Sequence, residues 1–457
     1  MAHPAKPNIL VFMLDTQRAQ NMSCYGYEKP TTPNIDRLAE EGVAFLDNIS
    51  PAVWTLPAVA SLMTGLHVHS HGAGAHNESY GGPFVTLAEA LTKAGYQTVA
   101  FYGNIYAAMS NHGFHESHLM KGHEKHIGPD CFDVSRRRMA EAMNWMDRHA
   151  GAGEPPFFLY VQVMDPHLPL HPVSPFKERF CLPDIKPEEL EAIPRDVLEV
   201  YVGKHCVSER ERAVLLSMYD AETAAADSHV GVLMDYLRAK RLIDETLIFI
   251  MSDHGEMFCE RPNLAGGQHF THHICCYEEL IKTPLVARYP EAFPAGKRAA
   301  HSTQTHDIFP TVAEIVGFEA PHCQGFSLLS ALGDQPRRAW TLTEYMKSIH
   351  IASRVLRLSP DIDQRLFVRW LKAYRKEGMK YIWASDMRDE LYDLRADPRE
   401  HNNLIERMPE KAKAMRLELE ALMTALPPAD RGDLVWGVDK DDPRLAKLRG
   451  MDWYLER

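Results

Sequence analysis

The sequence predicts an α/β protein with a large, mainly parallel sheet between helices, followed by a smaller α+β part. Three observations predict this. Segments 8–14, 156–164 and 246–252 are continuous apolar runs, the pattern of strands covered on both faces. Each run leads into an acid: Asp15, Asp165 and Asp253. After about Ser327 the texture changes to short alternating segments, which suit a small antiparallel sheet.

The first strand delivers Asp15 to the edge where open α/β sheets place ligands, so Asp15 reads as a metal or ligand group as well as a candidate cap. Arg18 is close enough in sequence to pair with Asp15 or with an anionic substrate. Segment 31–42 reads as a capped helix stopped by Gly42, and 43–45 as a short strand. The chain then reaches Trp54-Thr55-Leu56-Pro57, the entrance to an apolar helix that stops at Gly65. Pro57 suits a first turn, where its missing N–H costs nothing. A hydroxyl on Thr55 would stand in the field of a helix N-terminus, which favours an alkoxide and an incoming phosphate or sulfate. The plain alternative is that Thr55 is only an N-cap.

Segment 84–91 predicts a helix ending near Gly95, and 97–102 a strand ending at Gly103-Asn104. The His- and Lys-rich stretch 107–133 reads as irregular surface loop with some residues lining a site, and 134–149 as a helix. The second apolar strand delivers Asp165-Pro166-His167. Segment 182–204 reads as an inserted excursion, and 213–237 as a long amphipathic helix on which Asp220 and Asp227 make structural contacts. The third strand ends in Asp253-His254-Gly255-Glu256, where an acid and a histidine can grip one ion from two sides and the glycine permits a sharp turn. The stretch 268–273, with His272 and His273, either lines the same edge or is a mobile loop. A strand at 284–287 and a helix at 309–317 follow.

Segment 328–336 reads as a linker. Antiparallel strands at 381–383 and 390–394 and a helix at 409–426 complete the smaller part. The expected division is 1–335 for the catalytic domain, 336–426 for the α+β domain and 427–457 for a charged tail. That tail would pack on the body or on another subunit, as in a homo-oligomer.

A net charge of −12 argues against non-specific binding to nucleic acid or to an anionic membrane. No apolar run has the length of a membrane span. The eight cysteines show neither paired metal spacing nor a disulfide framework, and with no leader-like N-terminus the expectation is a cytoplasmic protein.

Taken in order, these motifs resemble the sulfatase branch of the alkaline phosphatase superfamily. The resemblance runs from 8–26 through 55–65, 165–167, 252–255 and 277–284 to Leu391-Tyr392-Asp393-Leu394 and Asn403-Leu404. It implies an alkaline-phosphatase-like domain with a smaller C-terminal α+β domain, and a site built around one divalent cation. By that resemblance Asp15, Asp253, His254 and Thr55 are the metal ligands, and Thr55 is the nucleophile. His167 and His273 are the expected acid, base or oxyanion groups, and, beside the resemblance, Arg18, Asn104 and His272 are the candidate substrate contacts.

Four positions depart from the family pattern. Thr55 stands where sulfatases carry the Cys or Ser that becomes formylglycine, and threonine cannot form that aldehyde. Val59 replaces an arginine, Thr16 replaces a second acid, and Asn104 and Tyr106 replace a Lys-x-His pair. The expected chemistry is therefore hydrolysis of phosphate diesters or phosphonate monoesters through a phospho-threonine. Sulfate-ester hydrolysis is the alternative, with a non-catalytic binding protein or a phosphoryl transferase behind it. One imidazole among the ligands suits manganese or zinc better than calcium. The expected partner is a small anionic ester.

Overall fold

The run Asn8–Leu14 forms strand β1 in the computed structural model, with every residue after the first buried. The structure describes residues 6–429 except 75–83, 111, 120–130, 152, 195, 265, 336, 347–348 and 364. The next strands are β2 (Val43–Phe45), β3 (Asn48–Ile49), β4 (Gln97–Tyr102), β5 (Glu116–Leu119), β6 (Phe157–Val163) and β7 (Thr246–Ser252). They are followed by β8 (Met257–Pro262), β9 (Gln268–Thr271), β10 (Lys282–Thr283), β11 (Leu285–Arg288), β12 (Lys297–Ala299) and β13 (Thr303–Gln304). The last four are β14 (Thr341–Tyr345), β15 (Leu371–Lys376), β16 (Met379–Ala384) and β17 (Glu390–Asp393).

The main sheet has the spatial order β12-β2-β11-β7-β1-β6-β4-β5. Strands β7, β1, β6, β4 and β5 are mutually parallel, and β11 runs antiparallel to both β7 and β2. The predicted mixed, mainly parallel sheet is thus observed. Leu14 stands opposite Val163 of β6 and Ser252 of β7. Asp15 and Asp253 therefore leave the sheet side by side, and the segment from Met164 to His167 leaves beside them.

Successive side chains of a strand point to opposite faces, so β1 serves two cores. Ile9, Val11 and Met13 pack with Val59, Leu62 and Met63 of helix Thr55–Thr64 and with Phe309 and Val312 of helix Ile308–Val316. Leu10, Phe12 and Leu14 pack with Leu38 of helix Pro33–Glu41, Trp145 of helix Cys131–His149, and Val230 and Leu233 of helix Glu209–Ala239. The result is a helix–sheet–helix sandwich. Helix Thr55–Thr64 is buried at all ten positions and ends on Gly65 at φ 71, a left-handed cap that favours glycine.

Several predicted boundaries shift. The helix predicted from Phe84 is Leu87–Lys93, because Thr86 and Glu89 form a capping box that fixes its start. The long helix begins at Glu209, before the predicted 213, for the same reason at Ser208 and Glu211. On it, Asp220 accepts from Asn21, Tyr27 and Lys29, and Asp227 accepts the first N–H groups of helix Pro33–Glu41. Within the predicted loop 107–133, residues 116–119 form an edge strand, and 120–130 lie outside the described residues. The predicted excursion contains helices Pro187–Ala192 and Val197–Tyr201. The predicted linker holds a 3-10 turn, Leu328–Leu332, with Leu328 fully buried.

Strands β14-β15-β16-β17 form the predicted small antiparallel sheet. Helix Pro409–Ala425 covers one face of it through Met415 and Leu419. The other face packs on Ile49, Leu280 and Ile281 of the main body. Charge pairs pin the two parts: partly buried Arg375–Asp47 at 2.9 Å and buried Lys380–Glu278 at 3.2 Å. Of the predicted tail, residues from 430 onward lie outside the described set, and Ala429 N–H donates to the His69 carbonyl at 2.9 Å.

Candidate active site

The tips of β1 and β7 place Asp15 and Asp253 next to each other, both fully buried. Asp15 Oδ2 accepts from Asn104 Nδ2 at 2.7 Å and Gln162 Nε2 at 3.0 Å. Asp253 Oδ1 accepts the backbone N–H groups of Thr16 at 3.1 Å and His254 at 2.9 Å. The remaining oxygens, Asp15 Oδ1 and Asp253 Oδ2, have no hydrogen-bond partner. His254 donates from Nδ1 to the Gly255 carbonyl at 2.9 Å, which fixes the tautomer and turns Nε2 toward the two acids. Ligand atoms of Asp15, Asp253 and His254 gather within 4.8 Å of one another.

This donor set fits a divalent cation. Two carboxylate oxygens without donors and one imidazole nitrogen with a lone pair point at a common space. Burial, then the neighbouring Asp253 charge, pushes the Asp15 carboxyl well above the usual carboxylate range. A cation held between them removes the cause of that repulsion.

Thr55 is the first residue of its helix, and Trp54 rather than Thr55 occupies the cap position. Its hydroxyl is therefore not spent on capping. Oγ1 lies 3.4 Å from His254 Nε2 and 3.4 Å from Asn104 Nδ2. Asn104 thus bridges Asp15 and Thr55, on the turn that follows β4.

Hairpin β8–β9 carries the histidines in, so 268–273 is not the mobile loop of the alternative reading. The His272 ring centroid lies 4.6 Å from that of His254, 4.6 Å from His273 and 5.2 Å from His167. His272 Nδ1 pairs with buried Glu256 at 3.2 Å. The His273 ring lies 5.5 Å from Trp54, whose indole faces Tyr106 at 5.8 Å. Burial drives His167 and His272 down to about 4 and raises Glu256 to about 7. Thr16 (φ 59), Thr271 (φ 65) and His273 (φ 87) adopt the left-handed region that such side chains rarely enter. Strain of this kind persists where surroundings enforce it, as at reactive sites.

Arg18 has a different partner from Asp15. Its guanidinium pairs with Glu260 of β8 at 2.8 Å and lies over the Phe258 ring. Gly255 does not serve a positive-φ turn. A Cβ there would come within 2.1 Å of the Glu279 carbonyl oxygen, so close approach of the 278–281 turn requires the glycine. Gln162 and Glu256 were not predicted as site residues. Gln162 gave a signal, as the polar residue in an otherwise apolar strand.

A family profile described as Sulfatase matches residues 7–318, most of the chain. The chain belongs to the sulfatase family. A second profile, N-sulphoglucosamine sulphohydrolase, C-terminal, matches residues 267–426. The chain is 24% identical to an N-acetylglucosamine-6-O-sulfatase of Bacteroides thetaiotaomicron, over 87% of this chain and 82% of the relative. It is also 24% identical to the multifunctional alkaline phosphatase superfamily protein PehA of Trinickia caryophylli, over 87% and 91%. A phosphonate monoester hydrolase of Agrobacterium radiobacter shares the fold, with a TM-score of 0.74 at 22% identity, covering 92% of this chain and 96% of that one. This sulfatase-family chain is accordingly an ester hydrolase. Among the described residues, no helix is long and apolar enough to cross a membrane.

Proposed function

We propose that this sulfatase-family hydrolase cleaves phosphate diesters or phosphonate monoesters with Thr55 as nucleophile. The observation that supports this most directly is the Thr55 hydroxyl, unable to become an aldehyde and poised 3.4 Å from both His254 and Asn104. Asp15, Asp253 and His254, with Thr55 as a fourth group, would hold a manganese or zinc ion. Such an ion supplies positive charge that favours the alkoxide and offsets the charge of the ester.

The Asn104 amide holds the Thr55 oxygen in place by donating to it. As the oxygen attacks phosphorus, the Thr55 hydroxyl passes its proton to the neutral imidazole group formed by His167, His272 and His273, and the Oγ1–P bond forms while the bond to the leaving alcohol breaks. The departing oxygen takes that proton. Water then attacks phosphorus, its proton passes to an imidazole, and the P–Oγ1 bond breaks as Oγ1 takes the proton to restore threonine. Phosphorus suits this cycle because a phospho-threonine can be opened at phosphorus. A threonine sulfate lacks the second hydroxyl by which a formylglycine hydrate expels sulfate. Asp15 and Asp253 would be offset by the ion, and the other side chains beside Thr55 are amide, imidazole and indole, which match a singly charged ester better than a dianion.

Sulfuric ester hydrolysis is the second reading, favoured by similarity to a relative described as an N-acetylglucosamine-6-O-sulfatase. The experiment that separates them is turnover of p-nitrophenyl phosphate, a p-nitrophenyl phosphodiester, p-nitrophenyl phenylphosphonate and p-nitrophenyl sulfate by one preparation. Fastest turnover of the diester or phosphonate is expected. Fastest turnover of the sulfate would overturn the proposal.

A further inference from the structure

The three imidazoles of the proposed cycle are not equivalent. His272 is the central one, with its ring centroid 4.6 Å from His254, 4.6 Å from His273 and 5.2 Å from His167. His254 in turn stands 3.4 Å from the Thr55 oxygen. The rings are also anchored differently. His167 Nδ1 bonds to the Leu168 carbonyl and His254 Nδ1 to the Gly255 carbonyl, in each case neutral backbone of the next residue. His272 Nδ1 lies 3.2 Å and 3.4 Å from the two carboxylate oxygens of Glu256, a side chain with no exposure, and 3.3 Å from Thr271 Oγ1. Among the described residues, His272 Nε2 has no hydrogen-bond partner.

The hairpin explains this pairing. Met257 of β8 stands opposite Thr271 of β9 in an antiparallel ladder, so Glu256 and His272 are the next opposed pair, just beyond the ladder's end. The backbone around that ring is strained. Thr271 (φ 65), His273 (φ 87) and Ile274 (φ 60) all enter the left-handed region, so strain stands on both sides of His272. Strain that brackets one side chain points to a demanded position for it.

We infer that Glu256 positions His272 as the imidazole that carries the proton in the proposed cycle, by holding the ring hydrogen on Nδ1 and leaving Nε2 as the free lone pair. A carboxylate only accepts, so the hydrogen of the 3.2 Å bond belongs to the ring. Two oxygens on one nitrogen also oppose a ring flip, which would turn a carbon toward them. Nε2 then takes the Thr55 proton and passes it to the departing oxygen. In the second half it takes a proton from water and returns it to Oγ1. Glu256 touches no reacting atom and keeps its own protonation throughout, so it acts only through His272.

The proton-carrying role rests on the phosphoester reading; the hydrogen on Nδ1 does not. Nitrogen NMR of the full chain with isotope-labelled histidine, with and without zinc, reads the tautomer, and loss of the signal in His272→Gln assigns it. Wild type should carry the hydrogen on Nδ1. Glu256→Gln keeps the size of the side chain but offers an amide N–H to Nδ1, so the hydrogen should move to Nε2. On the best p-nitrophenyl substrate, Glu256→Gln of measured metal content should lose about 100- to 10,000-fold in kcat with KM little changed. A merely space-filling Glu256 predicts wild-type behaviour in this isosteric variant. A wild-type hydrogen on Nε2, an unchanged kcat in Glu256→Gln, or a loss of kcat that tracks loss of metal would overturn the inference. The wild-type spectrum decides the tautomer even if Glu256→Gln does not fold. If the hydrogen is on Nδ1 and Glu256→Gln slows turnover of the sulfate alone, the substrate reading fails and the positioning role stands. If phosphoesters are turned over but the hydrogen is on Nε2, the positioning role fails and the substrate reading stands.

Discussion

Replacing Thr55 by valine separates the proposed chemistry from the fold. Valine keeps the branched shape of a residue that is 2% exposed. What disappears is one hydroxyl, whose two contacts of 3.4 Å are longer than the usual 2.7–3.2 Å range. Bonds so long contribute at most about 0.5–1 kcal/mol in total. Asn104 keeps its 2.7 Å bond to Asp15, so little else is left unsatisfied. The expected cost is a fall in Tm of only about 0.5–1 °C. Three ligand groups remain, so metal content should persist at saturating metal. The rate should respond very differently, because removing a nucleophile costs on the order of 10⁴–10⁶ in kcat. The assay is phosphodiester turnover by protein of measured metal content, with mass spectrometry of quenched wild type to find phosphate on Thr55. A metal-loaded Thr55→Val protein that keeps more than about 1% of wild-type kcat would refute the assignment.

Three further outcomes follow from the same geometry. Gly255→Ala places a carbon 2.1 Å from the Glu279 carbonyl and must displace the adjacent His254, so metal affinity should fall by about 10–100-fold in a metal titration. Gln162→Leu removes a donor to Asp15 and the acceptor of the Asn104 N–H, and should weaken metal binding by about the same factor; an unchanged affinity would mean that these bonds do not orient Asp15. His67, His71 and His269 are buried neutral, each pushed by burial from an ordinary 6.5 to about 3. The unfolded chain binds their protons first, so stability is lost as pH falls from 6.5 toward 3, by on the order of 1.4 kcal/mol per pH unit for each. Urea unfolding at stepped pH reads that slope, and His269→Phe should make it shallower.

The strands were legible because burial on both faces leaves a signature in the sequence itself: 8–14, 156–164 and 246–252 have no polar face to show. Their terminal acids were legible for the same reason, since a parallel sheet gathers strand tips at one edge. Which way each acid turns was not. Asp15 and Asp253 meet at the proposed metal group, whereas Asp165, from the neighbouring tip, turns to Ser135, with His229 3.8 Å away. Strand period fixes the face of a residue within the sheet but not beyond its last ladder bond. Arg18 shows the same limit, because proximity in sequence suggested Asp15 while packing of β8 supplied Glu260. Gln162 and Gly255 act through partners remote in the chain, Asp15 and Glu279, and only the packed structure brings these within bonding or clashing distance. The sequence thus determined the layers and the chemical types at the edge. Tertiary structure decided their partners, because side-chain direction and electrostatic environment depend on what the rest of the chain packs against them.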